Sequence, residues 1–288
     1  RMPANCSKPR CPPSSDCCLS PASTRLRHNK HVSTSGILLV DKPGGITSHD
    51  VVSRVRKLAG TRKVGHAGTL DPMATGLLVL GIESSTRLLT YLVGLDKQYL
   101  ATIRLGLATT TDDAEGDPIG SPADTSGLGA ESIAEAIVPL TGTISQVPSS
   151  VSAIKVGGRR SYDRVRKGAQ VTLVPRTVTI SAFDLLDFRA GADGAELDVR
   201  VDCSSGTYIR ALARDLGASL GVGGHLTALR RTRVGPFGIA DATELGDGLM
   251  DGLLDPASVA RRLFPEVRLT AAENLQLRQG KRPRLSAL

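Results

Sequence analysis

The sequence has no tryptophan and few aromatic residues of any kind, with four tyrosines and four phenylalanines among 288 residues. Few side chains are therefore available to stack on the ring of a ligand. No apolar run approaches the roughly 20 residues that span a bilayer, and the longest, Gly76–Ile82, has the size of a buried strand. The first residues include arginines and cysteines but no apolar segment, which argues against a secretory signal. We expect a soluble, cytoplasmic protein with no membrane partner.

Cysteine is also scarce, and its distribution says little about catalysis. Four of the five cysteines, together with two histidines, crowd the first 31 residues. Such a cluster can indicate zinc, but the spacings do not form paired Cys-x-x-Cys units and no apolar pattern surrounds them. Free thiols are the favoured interpretation. Cys203 lies in an apolar, strand-like segment. We therefore predict no metal site.

Positive charge is in excess but local. The net charge is +8, and residues 1–35 carry six basic side chains against the single Asp16, so that segment contributes +5. In the remaining chain, basic side chains cluster at 54–63, 155–167 and 230–233, whereas Asp112–Asp117 is acidic. Local basic clusters on a nearly neutral body favour an anionic polymer bound along a track. For any one cluster, a solvated helix face remains the alternative.

The pattern along the chain predicts an α+β fold. Residues 1–35 are rich in Pro, Ser, Cys and Arg without periodicity and are predicted to be a disordered leader. Helices are predicted at 47–58, 85–93, 131–141 and 208–220, strands at 36–40, 77–82, 99–107, 171–174, 177–185 and 197–203, and a helical or extended basic segment at 225–233. Strands outnumber helices and do not alternate with them regularly. We expect a mixed, mainly antiparallel central sheet flanked by helices.

The segment Gly65–Pro72 presents a single carboxylate, Asp71, in a short loop between a basic helix and an apolar segment. Its glycines allow positive φ and close approach to a ligand, and Pro72 pushes Asp71 away from helical backbone angles. Asp followed by Pro is also a common helix cap. The dipeptide alone favours the cap, so the function depends on whether Asp71 is a cap or a nucleophile.

The longer segment GHAGTLDPMATGLLVLGI resembles the signature loop of the TruB family of pseudouridine synthases. The resemblance, to the bacterial tRNA pseudouridine-55 synthases of this family, covers roughly residues 36–245. It continues through five further segments, which are Val40–Pro43, Asp96–Tyr99, Val147–Lys155, Gly206–Arg210 and Leu229–Arg231. Each segment alone is weak, but all of them in this order are highly specific.

The resemblance implies a pseudouridine synthase fold and an isomerase. Its reaction would convert uridine 55 in the T-loop of tRNA to pseudouridine, with Asp71 as the nucleophile and the target base flipped out of the RNA. The chemistry needs no redox step and no external energy, so no cofactor is expected. The partner would be the T-arm stem-loop of tRNA, bound by a monomer. Attack at the sugar, attack at the base and an elimination route all remain open.

The resemblance also implies roles for other side chains. Arg210 is expected to pair with Asp71, and Tyr99 to stack on the extruded base, with its hydroxyl available for proton transfer. Tyr208 and Leu229 would line the base pocket. Without the resemblance, an arginine near a helix start can simply face solvent, and a tyrosine at a strand start is more often part of the core.

Two more residues receive supporting roles from the resemblance. His66 would fill the stack that the flipped base vacates, although a hydrogen-bonded loop histidine is the simpler alternative. Lys42 would support the pocket rather than react. An RNA-binding insert near 150–170 would grip phosphates of the stem and loop.

Three domains are predicted: the leader 1–35, a catalytic domain at 36–248 that contains the insert, and 249–288. The last segment resembles the opening of a small C-terminal RNA-binding domain of the PUA type and is too short to complete a β-barrel. We therefore expect a truncated PUA-like piece and weaker binding of tRNA than in a longer relative.

Three alternatives to a stand-alone enzyme agree less well with the sequence. The catalytic subunit of archaeal and eukaryotic guide-RNA complexes shares the aspartate loop, but the 147–167 region looks bacterial. A non-catalytic RNA-binding protein is disfavoured because Asp71, Tyr99 and Arg210 are all present. A glycosidase is disfavoured because no second acidic residue lies in a comparable loop.

Overall fold

The computed structural model describes residues 35–149, 155–156, 159–160, 173–191 and 194–284. The predicted leader, most of the predicted insert and the four N-terminal cysteines therefore lie outside the described residues. The described residues belong to one compact unit, Ser33–Leu288.

Fourteen strands are described. In chain order they are β1 Gly36–Lys42, β2 Val64–Ala67, β3 Thr75–Ile82, β4 Lys97–Leu105, β5 Ala108–Thr109, β6 Pro118–Ile119, β7 Gly142–Gln146, β8 Lys155–Val156, β9 Arg159–Arg160, β10 Arg176–Gly191, β11 Gly194–Cys203, β12 Gly224–Val234, β13 Phe237–Gly238 and β14 Thr243–Glu244. Ten of them form one sheet in the order β14-β1-β3-β12-β4-β11-β10-β7, with β2 also on β3 and β13 on β12. The pairs β1–β14 and β3–β12 are parallel and the others antiparallel. The predicted mixed, mainly antiparallel sheet is confirmed.

Six α-helices are described, and short 3₁₀ segments adjoin several of them. They are α1 Ser48–Ala59, α2 Leu89–Val93, α3 Ala130–Ile137, α4 Ile209–Ser219, α5 Pro256–Leu263 and α6 Ala271–Arg278. Helix α1 begins with a capping box, in which Thr47 and Asp50 each accept a hydrogen bond from the other's backbone N–H, and ends at Gly60 in the left-handed region. This cap fixes where the chain enters the loop that leads to β2.

Strand β4 buries one face, whereas β1 and β3 contribute residues to cores on both faces of the sheet. The residues of β4 alternate, with Lys97, Tyr99 and Ala101 buried and the residues between them more exposed. The larger core lies on that face and includes buried residues of α1, α3 and α4, such as Val55 and Leu212. A smaller core lies on the opposite face, behind β1 and β3, and includes residues of α2 and α5.

Strands β3 and β12 approach each other unusually closely where they meet. Gly76 has φ +98°, and a Cβ there would lie 2.3 Å from the carbonyl oxygen of Arg231. Only glycine fits this position. The contact brings Thr75 opposite Arg230, so the end of β12 lies beside the loop that carries Asp71.

The structure corrects four of the sequence-based assignments. Residues 64–67, interpreted as part of a loop, form β2, and the ambiguous segment 225–233 is the extended strand β12. The strand predicted at 177–185 continues to Gly191, because it pairs with β11 along its length. Of the strand predicted at 171–174, the described residues Leu173 and Val174 are not in a strand.

The C-terminal segment packs on the body of the protein. Leu254 exchanges backbone hydrogen bonds of 3.0 and 2.8 Å with Ile37 of β1, and Val259 of α5 is fully buried in the smaller core. The described residues beyond 249 form helices and turns without a named strand. The assignment of 249–288 as a PUA-like piece remains a prediction.

Within the described part of the chain, no helix has the length and apolar character needed to cross a membrane.

Candidate active site

Asp71 lies in the turn between β2 and β3. Residues 71–74 do not begin a helix, because β3 starts at Thr75. Asp71 therefore does not cap a helix, which removes the cap interpretation of the Asp-Pro pair. The turn is pinned to α1, because the buried Ser48 hydroxyl donates to the Leu70 carbonyl at 3.0 Å and accepts from the Leu70 N–H at 2.9 Å. The backbone that presents Asp71 is thus held in place while its side chain remains 39% exposed.

The predicted partner of Asp71 is in contact with it. Arg210 Nη2 lies 3.0 Å from Asp71 Oδ2, and the arginine side chain is only 5% exposed. The first turn of α4 supplies this arginine. The ion pair therefore fixes Oδ2 of Asp71 while the side chain stays partly exposed.

A second carboxylate, which the sequence analysis did not identify, completes the ionic group. Arg210 Nη1 lies 3.2 Å from Asp113 Oδ2 and donates to the Thr111 carbonyl at 2.9 Å. The side chains of Asp113 and Arg210 are both 5% exposed. Arg210 therefore lies between two aspartates, one buried and one open to the pocket.

The acidic loop reaches α4 because it docks on β12. The Ala114 N–H donates to the Leu226 carbonyl at 2.9 Å, and the Leu226 N–H donates to the Asp112 carbonyl at 3.0 Å. Asp112 has φ +61°, a conformation that is uncommon for a non-glycine residue. Arg214, one turn beyond Arg210, pairs with Asp112 at 3.2 Å. The sequence shows that residues 112–117 are acidic, but nothing in it indicates that these residues contact the arginines of α4.

The side chain of Lys42 contacts the turn that carries Asp71. It is fully buried, and its ammonium donates to the carbonyls of Pro43, Ile46 and Pro72 at 3.0, 2.7 and 3.2 Å. Burial lowers the pKa of Lys42 to about 8, and the negative charge of Asp71 opposes that shift. The role of Lys42 as a support of the pocket remains a prediction.

Three predicted pocket residues lie on elements that converge on this face. Tyr99 on β4 and Leu229 on β12 are buried in the larger core, at 7% and 8% exposed. Burial raises the pKa of Tyr99, and the positive charge of Arg231 opposes that rise. Tyr208 immediately precedes α4 and is held at its backbone by Gln146. Their role as the wall of a base pocket remains a prediction.

His66 lies on β2, five residues before Asp71. Its ring packs edge-on against His49 with centroids 5.6 Å apart. Burial, followed by the neighbouring charge of His49, lowers the pKa of His66 below 6.5, so the ring is neutral at neutral pH. Its Nδ1 is buried without a hydrogen-bond partner among the described residues. The role of His66 in filling an RNA stack remains a prediction.

Two of the basic clusters differ in how far their side chains are available to contact an anionic ligand. At the end of α1, an open depression is lined by Arg56, Lys57, Gly60, Thr61 and Arg62. By contrast, Arg230 pairs with Asp41 at 2.6 Å, and Arg233 pairs with Asp202 at 2.6 Å. The arginines of β12 are therefore engaged within the protein and do not form a free cationic track. The 155–167 cluster lies largely outside the described residues.

Among the residues that the structure describes, no group of three or more His, Cys, Asp or Glu side chains could hold a metal ion.

Comparison with known proteins gives consistent matches. The family model described as TruB family pseudouridylate synthase (N terminal domain) matches residues 56–209, and that of the tRNA pseudouridylate synthase B C-terminal domain matches 210–255. A tRNA pseudouridine synthase B of Leifsonia xyli subsp. xyli is 62% identical over 255 residues, covering 88% of this chain and 84% of that protein. Its counterpart from Corynebacterium efficiens is 57% identical, covering 88% and 86%.

Solved structures agree with the fold. A chain in the crystal structure of a Cbf5-Nop10-Gar1 complex superposes with a TM-score of 0.57 and 30% identity, covering 76% of this chain and 54% of that chain. One in an archaeal box H/ACA sRNP Nop10-Cbf5 complex gives 0.60 and 25%, covering 87% and 68%. With the family model matching more than half of the sequence, this chain belongs to the TruB family of pseudouridylate synthases and is an isomerase.

Proposed function

We propose that this chain converts uridine 55 in the T-loop of tRNA to pseudouridine, with Asp71 as the nucleophile and the base flipped into the pocket. The supporting observation is the Asp71–Arg210 pair. A buried guanidinium holds one carboxylate oxygen at 3.0 Å in a turn that caps no helix. Preorganised charge of this kind stabilises a reacting group without reorganisation during the reaction.

The reaction is an isomerisation, and Asp71 suits it. The C1′–N1 bond of the uridine breaks, the base turns, and a C1′–C5 bond forms. One proton leaves C5 and one is gained at N1, so atoms and electrons balance without a cofactor. A carboxylate can provide covalent catalysis in such a sequence. Asp71 is the partly exposed member of the Asp71–Arg210–Asp113 group, and Asp113 is the buried one.

We assign the base pocket to Tyr99, Leu229 and Tyr208. Tyr99 and Leu229 are buried in the larger core, and Tyr208 immediately precedes α4. Extruding a base costs a few kcal/mol of lost stacking, which contacts in such a pocket repay. His66, neutral and close in the chain to Asp71, is our candidate for filling the vacated stack.

The substrate class rests on relatives and on charge. The relatives with 62% and 57% identity bear the name tRNA pseudouridine synthase B. A solved neighbour with 28% identity is an H/ACA RNP bound to a substrate RNA. The exposed basic residues around the end of α1 can contact phosphates of the T-arm stem. The greater similarity to the tRNA enzymes favours a stand-alone protein, and a monomer suffices because every proposed site residue comes from one chain.

The test uses the purified chain and an unmodified tRNA transcript, with pseudouridine mapped at single-nucleotide resolution. We expect one pseudouridine per tRNA, at position 55, and none in a transcript that carries cytidine there. Asp71→Asn should abolish product while tRNA binding stays within a few-fold. The exposed Asp247→Asn is the matched control and should retain the wild-type rate. Product at another position would overturn the site of modification, and turnover by Asp71→Asn would overturn the nucleophile.

A further inference from the structure

One exposed face of α1 begins at the candidate active site. His49 packs edge-on against His66 with ring centroids 5.6 Å apart, and His66 is the residue proposed to fill the vacated RNA stack. Residues 49, 53, 56 and 57 share one side of the helix because they are spaced by three or four positions. All four, His49, Ser53, Arg56 and Lys57, are exposed. This face therefore leads away from His66 along α1 for about 16 Å.

The far end of that face is positively charged. The segment 54–63 contains no acidic residue and five basic ones, which are Arg54, Arg56, Lys57, Arg62 and Lys63. Three of them line the open depression at the end of α1. Of the ion pairs among the described residues, only Lys63–Glu83 involves this segment. The charge of the depression is therefore available to an anion.

The end of α1 does not itself require this charge. Basic side chains in the last turn of a helix commonly compensate its free carbonyls. In α1 the backbone does so, because the Gly60 N–H donates to the carbonyls of Arg56 and Lys57, and the Thr61 N–H donates to the Arg56 carbonyl at 3.2 Å. Arg62 lies beyond the helix altogether. The positive charge thus exceeds what the helix end needs.

Glu83, at the end of β3, holds the loop 60–63 in one conformation. Its backbone N–H donates to the Lys63 carbonyl at 2.8 Å. Its carboxylate accepts from the Thr61 hydroxyl and pairs with Lys63 at 3.4 Å. The Thr61 hydroxyl also accepts from the Lys63 N–H at 3.1 Å. A carboxylate beside a cationic surface lowers the attraction of that surface for anions, so the contribution of Glu83 here is to the shape of the loop.

We propose that this face of α1 and the loop 60–63, together the α1 track, bind one strand of the substrate RNA through its phosphates, several nucleotides from the flipped base. This inference rests on the proposed function, which places the flipped base beside Asp71 and His66. Contacts to phosphates fix the register of a nucleic acid on a protein without reading its sequence. A loop that is already ordered binds with a smaller loss of entropy. The α1 track therefore contributes to RNA affinity and not to the chemical step.

The experiment measures RNA affinity as a function of salt. The probe is a T-arm stem-loop hairpin with cytidine at the target position, which binds without being converted. Lys57→Gln/Arg62→Gln removes two positive charges from the α1 track. Arg189→Gln/Arg200→Gln removes the same charge from exposed side chains of β10 and β11 and is the matched control. Thr61→Val removes the hydroxyl that Glu83 holds and leaves the charge unchanged.

Each lost phosphate contact lowers the slope of log Kd against log salt by about 0.7 to 0.9. For Lys57→Gln/Arg62→Gln we expect a slope smaller by about 1.5 and a Kd roughly tenfold higher at about 0.1 M salt. The single-turnover rate on saturating tRNA should stay within about twofold. Thr61→Val should raise the Kd at least about threefold, and the control should match the wild type in slope and Kd.

Three results would overturn the proposal. Wild-type affinity and slope in Lys57→Gln/Arg62→Gln would mean that the α1 track does not bind RNA. An equal loss in Arg189→Gln/Arg200→Gln would mean that only the net charge of the protein matters. Wild-type affinity in Thr61→Val would mean that the ordered loop contributes nothing.

Neutral methylphosphonates, placed one at a time in the hairpin, locate the contact. We expect one of them, several nucleotides from the target, to weaken binding to the wild type but not to weaken binding to Lys57→Gln/Arg62→Gln any further, because both changes remove the same contact. Full additivity at every position would contradict a phosphate contact by these side chains.

The outcome is separable from that of the proposed function. If the wild type made no pseudouridine at position 55, the proposed function would fail. The salt slopes and the methylphosphonate series would still report whether the α1 track binds RNA phosphates.

Discussion

Gln146 and the backbone of Tyr208 form a closed pair of hydrogen bonds. The side-chain amide of Gln146 donates to the Tyr208 carbonyl at 3.1 Å, and its carbonyl oxygen accepts from the Tyr208 N–H at 2.9 Å. Gln146 ends β7 and is 2% exposed. Tyr208 immediately precedes the helix that carries Arg210. A side chain on the edge strand of the sheet thus holds both Tyr208, which we propose lines the base pocket, and the start of the helix that supplies the partner of Asp71.

Gln146→Met should loosen that helix start. The substitution keeps the length of the side chain but removes both hydrogen bonds to the Tyr208 backbone, which costs about 1–3 kcal/mol for the pair. We expect a lower free energy of unfolding by about that amount and a larger loss in kcat than in tRNA affinity, because Arg210 is no longer held at a fixed distance. Chemical denaturation and single-turnover kinetics measure the two effects. Gln276→Met, exposed on α6, should change neither, and an unchanged rate for Gln146→Met would contradict this role.

Asp113→Asn should weaken catalysis without weakening RNA binding. Asp113 and Arg210 are both 5% exposed, so losing the carboxylate removes one of the two carboxylates that pair with this buried guanidinium. Arg210 would then pair more closely with Asp71, the proposed nucleophile. We expect kcat to fall by at least about tenfold, with tRNA affinity within a few-fold. The matched control is Asp117→Asn, exposed in the same loop. A catalytic loss equal in the two variants would show that the loop, and not the ion pair, matters.

A contact within the site could be predicted from the sequence only where its residues are close in the chain or where the family resemblance implied it. The Asp71–Arg210 pair followed from the resemblance and is present at 3.0 Å. Asp113 did not, although its acidic loop was noticed. Its contact with Arg210 depends on the loop docking on β12 beside Leu226, and a pairing of this range leaves no local pattern in the sequence.

The fold class could be predicted from the sequence, but two of the strands could not. Strands such as β3 are continuous apolar runs, whereas β12 carries three arginines and two threonines among its apolar residues. Its arginines are satisfied by Asp41, Asp202 and backbone carbonyls of other strands. No local propensity reveals those partners, so the sequence indicated only a basic segment at 225–233. β2 was missed because four residues with one glycine form a strand only through pairing with β3.

Lys97→Met should change how stability depends on pH. Burial, and next the charge of Arg231, lower the pKa of Lys97 from 10.5 to about 8. Between those values the unfolded chain binds more protons than the folded one, so the free energy of unfolding rises with pH. Relative to Lys97→Met, the wild type should therefore gain stability between about pH 8 and about pH 10.5, by at most about 1.4 kcal/mol per pH unit.

Thermal unfolding of both proteins at several pH values measures this difference. Lys57→Met, on the exposed side of α1, serves as the control and should run parallel to the wild type. Parallel curves for Lys97→Met as well would mean that Lys97 keeps an ordinary pKa in the folded protein.

His66 offers a test of the proposed base flipping. If its neutral ring fills the vacated stack, a ring of similar shape should suffice. His66→Phe should then retain the single-turnover rate within about fivefold, whereas His66→Ala should lose at least about tenfold, since the stacking that repays flipping is worth a few kcal/mol. Because burial and His49 lower the pKa of His66, the wild-type rate should not fall with the protonation of this ring near pH 6.5. A 2-aminopurine placed beside the target uridine reports flipping by fluorescence. Equal flipping and equal rates in His66→Ala and the wild type would remove His66 from the step and leave it a residue of the β2–α1 contact.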